Sequence, residues 1–183
     1  DLYKVPVLGD RDAKYVLLEL SDYKCPSCRK LHSRMHQYLE QHKTDLAIVY
    51  LPAPMNSECN PNIKYTPQGF EDSHTLARYS MAVNKADSTK FEGFQHYLMN
   101  GSRRLTIEDA RKEAEALVGS EAFDTALKDK VIDEWIATGV GVQGYIKATT
   151  IPKLITGTQV ISYSGGSKGG FAVMMKKALG TEP

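Results

Sequence analysis

The sequence predicts an α/β fold in which one mixed sheet is interrupted by a helical block. Three observations predict it. A strand–helix–strand unit opens the chain, a strand–strand–helix unit closes it, and about 70 residues of helical period lie between them. Neither end carries enough strands to make a sheet alone, so the two must share one. At 183 residues, with 42% hydrophobic and 25% charged residues, the chain has the composition of a soluble globular domain and the length to bury a core without metal or disulfide staples. The formal net charge of +1 gives no field that selects nucleic acid as a partner. No apolar run approaches the roughly 20 residues of a membrane span.

The elements follow in order. Lys14–Leu20 ("KYVLLEL") is a short apolar run that reads as a buried strand. From Cys28 the apolar side chains fall at Leu31, Met35 and Leu39, a helical stripe, so a helix runs from near Cys25 to His42 or Lys43. Asp45–Leu51 ("DLAIVYL") is the next strand, parallel to the first with the helix as crossover. Pro52–Gly69, rich in Pro and Asn, is a loop. Helical segments are expected at His74–Lys85, Lys90–Met99, from Thr106 with an imperfect capping box to Asp109 and a stop at Gly119, and from a Ser120 cap through Phe123, Leu127, Val131 and Trp135 on one face. Thr149–Gly157, entered through Pro152, and Gln159–Gly165 form an antiparallel hairpin, and Gly170–Leu179 is the closing helix.

Chemistry concentrates in "SDYKCPSCRKLH", Ser21–His32. A Cys-x-x-Cys pair serves as half a zinc site, a structural bridge or a redox pair. A redox pair needs one accessible thiolate. A helix N-terminus favours an anion through its unpaired N–H groups and dipole. Cys25 lies just before the predicted helix, with Pro26 suited to the first helical position; Cys28 lies one turn in, on the apolar stripe. That asymmetry makes Cys25 the nucleophile and Cys28 the resolving thiol. A Cys/His site can also be drawn, since Cys28, His32 and His36 are each four apart. Zinc wants four ligands and a second Cys-x-x-Cys is absent, so His32 and His36 read as solvated surface residues and no metal is expected. Glu19, among Leu17, Leu18 and Leu20, reads equally as a structural or a functional acid. On residues alone Pro152 is a trans proline at a strand start. Cys59 is a free or partly buried loop thiol, with an auxiliary redox role as the functional alternative.

Taken together, "LLELSDYKCPSCRKLHSRM" resembles the active-site region of thioredoxin-fold proteins, and most of all the DsbA group. The resemblance implies a thioredoxin fold with a helical insertion, divided as 1–65, 66–138 and 139–183, with "GVGVQGYIKATTIP" leading back into the core. It implies a protein-disulfide oxidoreductase whose Cys25 and Cys28 exchange a disulfide through a mixed disulfide, with Glu19 as a buried proton relay. It also implies a cis Ile151–Pro152 bond opposite the cysteines, where Pro26, Ser27, Ile151 and Pro152 hold a substrate backbone. No prosthetic group is implied. Ser27 stands where the strongly oxidising bacterial enzyme has histidine; it brings no cation, so a milder oxidant is expected, with Lys24 compensating in part. The "PAPMNSECNPN" loop is similar to that of thioredoxin-like domains working with vitamin K epoxide reductase homologues. The partners implied are cysteine-containing proteins and a membrane or soluble redox partner, such as that reductase, that resets the disulfide. The alternative is a metal-binding carrier using Cys25, Cys28 and a nearby His. The chain begins at Asp1 rather than Met, which reads as removal of a targeting segment, and the implied location is extracytoplasmic: bacterial periplasm, secreted or membrane-tethered.

Overall fold

A central run of three strands organises the molecule. β2 (Tyr15–Ser21) pairs in parallel with β3 (Leu46–Pro52), and the crossover between them is α1 (Pro26–Gln41). β4 (Lys153–Thr156) joins the other side of β2 in antiparallel register, with Glu19 opposite Leu154 and Leu20 opposite Lys153. β5 (Gln159–Ser162) completes the hairpin, and the short β1 (Val7–Gly9) flanks β3, giving the order β1-β3-β2-β4-β5. The computed structural model describes residues 5–41, 45–100, 105–157, 159–163 and 168–180. The expected helix end at His42–Lys43 and strand end at Ser164–Gly165 lie outside them.

The two faces of the sheet bury alternate residues of the same strands. Leu46, Ile48 and Tyr50 of β3 point to one face with Leu8, Leu17 and Leu154, and there meet Leu31, Met35 and Leu39 of α1. Each of those α1 side chains is 2% exposed or less, so each contributes roughly 1.5–3 kcal/mol by burial. Ala47, Val49 and Leu51 point to the other face with Val7 and Leu20.

Between β3 and β4 lie α2 (Ser73–Ala86), a single 3-10 turn at Ser88–Lys90, α3 (Phe91–Asn100), α4 (Ile107–Val118), α5 (Ser120–Leu127) and α6 (Val131–Tyr145). Both halves of the box at the α4 start are made: Thr106 Oγ1 accepts the Asp109 N–H and Asp109 Oδ2 accepts the Thr106 N–H. α4 stops at Gly119, whose φ of 85° favours a residue without a side chain. α6 runs unbroken across position 138, and its Val142 and the following Ile146 pack on the second face of the sheet. Its close approach to the end of β3 depends on Gly139, where a Cβ would lie 2.0 Å from the Pro52 carbonyl oxygen. α7 (Lys168–Leu179) closes the first face with Phe171, Met174 and Met175.

Four features differ from the expectation. β1 was not foreseen, because three residues are too few to show a period. Ser120 is the first residue of α5 rather than its cap, a place taken by Gly119. The run from Phe123 to Trp135 is two helices, not one: the chain turns at Lys128–Lys130, where Asp129 Oδ1 accepts the Val131 N–H. The strand expected from Thr149 begins only at Lys153, after the proline that cannot donate to the ladder.

Candidate active site

The site forms where β2 ends and α1 begins. The parallel crossover obliges the chain to turn here, at the carboxyl end of β2, so the start of α1 stands over the sheet edge. Cys25 precedes the helix, and its carbonyl already accepts the Arg29 N–H. Pro26, the first helical residue, is exposed and Ser27 half-buried. Cys25 is 7% exposed and Cys28 0% exposed, the order the apolar stripe predicts. Both thiols are free.

The two sulfurs differ chemically as well. The Cys28 N–H donates to Cys25 Sγ at 3.4 Å. The neighbouring Cys28 thiol is the largest influence holding Cys25 below the ordinary thiol range, helped by that backbone N–H and opposed by burial and by the charge of Asp22. Burial, with Cys25 beside it, pushes Cys28 well above that range. The arrangement favours a thiolate on Cys25 and a thiol on Cys28.

Glu19, two residues before the end of β2, is wholly buried and neither carboxyl oxygen has a hydrogen-bond partner. Burial pushes its pKa up to about 7, with the Ser21 hydroxyl on the same strand face working weakly against this. A carboxyl poised near neutrality and without a fixed partner is suited to taking and returning a proton. Cys28 and Glu19 share Ser21 as a neighbour.

The segment before β4 closes the site from the opposite side. The Ile151–Pro152 peptide bond is cis, and Cys25 Sγ lies 3.9 Å from the Ile151 carbonyl oxygen. Residues 126 apart in sequence are thereby brought together. Ile151 is half-buried and Pro152 buried.

Cys59 sits in the loop after β3, half-buried. Its S–H donates to the Asn56 carbonyl at 3.5 Å, and burial pushes its pKa up to about 11, with the charges of Asp22 and Glu58 adding to the effect. At neutral pH it is a thiol.

His32 is not a solvated residue. It is 2% exposed, stacked beside His36 and tilted against His96 of α3, at centroid distances of 6.2 and 5.7 Å. Burial, with the neighbouring His96 and His36, pulls its pKa down to about 3 and keeps it neutral. His36 is half-exposed and faces Glu40 and Glu92. Among the described residues, no group of three or more His, Cys, Asp or Glu side chains is placed to hold a metal ion. Lys24, expected to compensate for Ser27, pairs with Asp72 at 3.5 Å.

Asp22 carries no flag in the sequence reading, yet it is 2% exposed and joins the two loops of the site. Its Oδ1 accepts the Lys24 N–H and its Oδ2 the Met55 N–H, both at 2.6 Å, and its backbone carbonyl accepts the Cys25 N–H at 3.2 Å. Burial raises its pKa while the backbone N–H groups work against that rise. An aspartate just before a helix, placed to accept its own backbone two residues on, was the available signal.

The thioredoxin family model matches residues 3–164. The chain belongs to the thioredoxin family. Among solved structures, it is similar to a periplasmic thioredoxin-like protein from Salmonella enterica serovar Typhimurium, with 20% identity, a TM-score of 0.73, and 97% of this chain and 91% of that one covered. The thiol-disulfide exchange protein alpha-DsbA2 from Wolbachia pipientis is 19% identical, with a TM-score of 0.74 over 95% of this chain and 85% of that one. Oxidised BdbD from Bacillus subtilis is 19% identical, with a TM-score of 0.71 over 98% and 95%. A comparison with curated proteins finds no match to the sequence. At such identities the likeness carries the fold: a thioredoxin-like sheet with a helical block between β3 and β4, as the motif resemblance implied.

Proposed function

We propose that this protein is a DsbA-like thiol–disulfide oxidoreductase acting on cysteine-containing protein substrates through the Cys25–Cys28 pair. The observation that carries the reading is the inequality of the two sulfurs, with a favoured thiolate on Cys25 and a buried thiol on Cys28. A symmetric metal site does not need that inequality, and stepwise exchange does.

Starting from the disulfide, a substrate thiolate attacks Cys25 Sγ. The Cys25–Cys28 bond breaks, Cys28 leaves as thiolate and takes a proton from Glu19. A second substrate thiolate then attacks its own sulfur in the mixed disulfide and releases Cys25 as thiolate. The substrate loses two electrons and this chain gains them. In the reverse direction Cys25 thiolate attacks a substrate disulfide, Glu19 removes the Cys28 proton, and Cys28 closes the ring. The Ile151 carbonyl beside Cys25 offers a backbone acceptor to the N–H of a substrate segment laid along β4.

Resetting needs a second redox protein. The likeness of the Pro52–Asn62 segment to domains working with vitamin K epoxide reductase homologues supports a membrane partner of that class, with Cys59 as an auxiliary thiol toward it. The periplasmic setting named for the Salmonella structure supports an extracytoplasmic location; among the described residues no helix is long and apolar enough to cross a membrane.

The test is mutational. Cys25→Ser abolishes reduction of insulin by dithiothreitol-coupled exchange, and Cys28→Ser accumulates mixed disulfides visible on non-reducing gels. Ordinary insulin reduction by the Cys25→Ser protein sinks the mechanism. The equilibrium with glutathione gives direction: a potential near about −270 mV marks a reductant and one near about −120 mV an oxidant.

A further inference from the structure

We propose that Asp22 is the positioning residue that sets how strongly the Cys25–Cys28 pair holds electrons, by pinning the turn that carries Cys25 and fixing a negative charge beside it. The inference rests on the thiol–disulfide reading of the site.

The geometry comes first. Asp22 lies three positions before Cys25, and the Cys25 N–H donates to the Asp22 backbone carbonyl. The two carboxylate oxygens are divided between the two loops that meet at the site: Oδ1 takes the Lys24 N–H on the cysteine side, and Oδ2 takes the Met55 N–H beyond β3. The adjoining Ala53 N–H donates to the Ser21 carbonyl at 2.9 Å, extending the join. Contacts of 2.6 Å from backbone donors are short, as bonds to an ionised acceptor are. A carboxylate held this way cannot swing toward solvent when the cysteines change state.

Its charge then acts on the sulfur. Reducing the disulfide adds two electrons and, when Cys25 ends as thiolate and Cys28 as thiol, one proton. A fixed negative charge nearby makes that product less favourable. The field of Asp22 opposes the thiolate of Cys25 and also reaches the phenols of Tyr23 and Tyr50 and the thiol of Cys59. Glu19 acts on the same phenols of Tyr23 and Tyr50, and the Lys24 ammonium is engaged with Asp72 at the start of α2. Asp22 is thus a brake on the acidity that the helix start confers on Cys25, and it keeps the disulfide from being a stronger oxidant.

Asp22→Asn keeps the shape and removes the charge. The expected result is a fall in the Cys25 pKa on the order of one unit, read from alkylation rate against pH. The disulfide becomes easier to reduce by about tenfold in its equilibrium with glutathione, which is about 30 mV. A folded Asp22→Asn protein with unchanged Cys25 titration and glutathione equilibrium overturns the proposal, because a merely structural staple changes the melting temperature alone. If the variant does not fold, the wild-type protein decides. Linkage requires Asp22, followed by carboxyl ¹³C chemical shift, to titrate at higher pH in the reduced protein than in the oxidised one; equal midpoints overturn the proposal. Neither readout uses a protein substrate, so absence of insulin reduction by the wild type refutes the proposed function and leaves these measurements standing.

Discussion

Replacing Glu19 with Gln should make the protein more stable and less active, and the two effects should appear over the same pH range. In the folded chain burial holds this carboxyl protonated up to about pH 7, against 4.5 for a free glutamate. Between those values the unfolded chain has lost the proton and the folded chain keeps it. The unfolded state therefore binds fewer protons, and folding stability falls as pH rises through the window. At about 1.4 kcal/mol per pH unit, the loss from pH 4.5 to beyond 7 amounts to about 3 kcal/mol. Glu19→Gln cannot ionise and escapes the loss. In urea melts of the reduced protein the variant and wild type should coincide near pH 4, then diverge until the variant leads by about 3 kcal/mol at pH 8. On heating, that lead corresponds to roughly 6–12 °C for a chain of this size. The rate of Cys28 attack on a mixed disulfide, followed by stopped-flow, should drop about tenfold or more above pH 7, where the proposed mechanism makes Glu19 the proton acceptor. A constant offset between the two stability curves at every pH would show that burial does not perturb this carboxyl, and would remove the basis for its role. A pH-dependent gain in stability with an unchanged exchange rate would leave burial intact and refute the proton transfer.

Two further outcomes follow from other parts of the structure. Iodoacetamide at pH 7 should modify Cys25 of the reduced protein at least about tenfold faster than Cys59, whose thiol is pushed up to about 11, and peptide mapping by mass spectrometry reads the ratio; equal labelling refutes the assigned difference. Gly139→Ala should destabilise by about 3 kcal/mol or more in urea, because the new Cβ would sit 2.0 Å from the Pro52 carbonyl and α6 must move off β3, whereas Gly141→Ala, with open space at its Cβ, serves as the control.

What the sequence could tell followed how local the cause was. The α1 stripe of Cys28, Leu31, Met35 and Leu39 is set by one helix lying on one sheet, so its period is visible in 12 residues, and every member is buried. The Thr106–Asp109 cap is local and was readable, although Asp in place of Glu or Gln made it look incomplete; the shorter side chain still reaches the Thr106 N–H. The break between α5 and α6 was missed because apolar residues at 123, 127, 131 and 135 keep a spacing of four across it, and the Asp129 side chain that ends the run acts through a single backbone bond. His32 was misread for a different reason. A histidine on a helix flank is exposed unless something covers it, and the cover is His96, on α3 and 64 positions along the chain. The cysteine site was legible because its parts carry rare chemistry at fixed positions: two thiols, an acid inside a strand, an X–Pro step. Asp22 escaped because its importance lies in two backbone N–H groups, and backbone donors leave no mark on a sequence.

Two buried carboxylates so close to one dithiol need separate explanations, and their hydrogen bonds supply them. Burial pushes both acids up. At Asp22 the Lys24 and Met55 N–H groups oppose that rise and fix the carboxylate in place, which is what the proposed role of a fixed charge requires. At Glu19 neither oxygen has a backbone donor, and burial pushes the pKa up to about 7. In the proposed mechanism one end of the strand thus supplies both a proton carrier and a fixed charge, three positions apart, with Ser21 neighbouring both Glu19 and Cys28 and Cys25 following Asp22. The division matches what stepwise exchange asks of the two sulfurs. Cys28 must lose and regain a proton in each cycle. Cys25 must remain a thiolate of limited stability, since a thiolate held too well would leave the disulfide strongly oxidising and slow to be reset. Exchanging the two acids, with Asp at 19 and Glu at 22, would keep the composition and the charge. It should nonetheless fail on both counts, read as a lost pH-dependent exchange rate and a shifted glutathione equilibrium, because the shorter acid does not reach as far into the buried site and the longer one overshoots the Met55 and Lys24 amides.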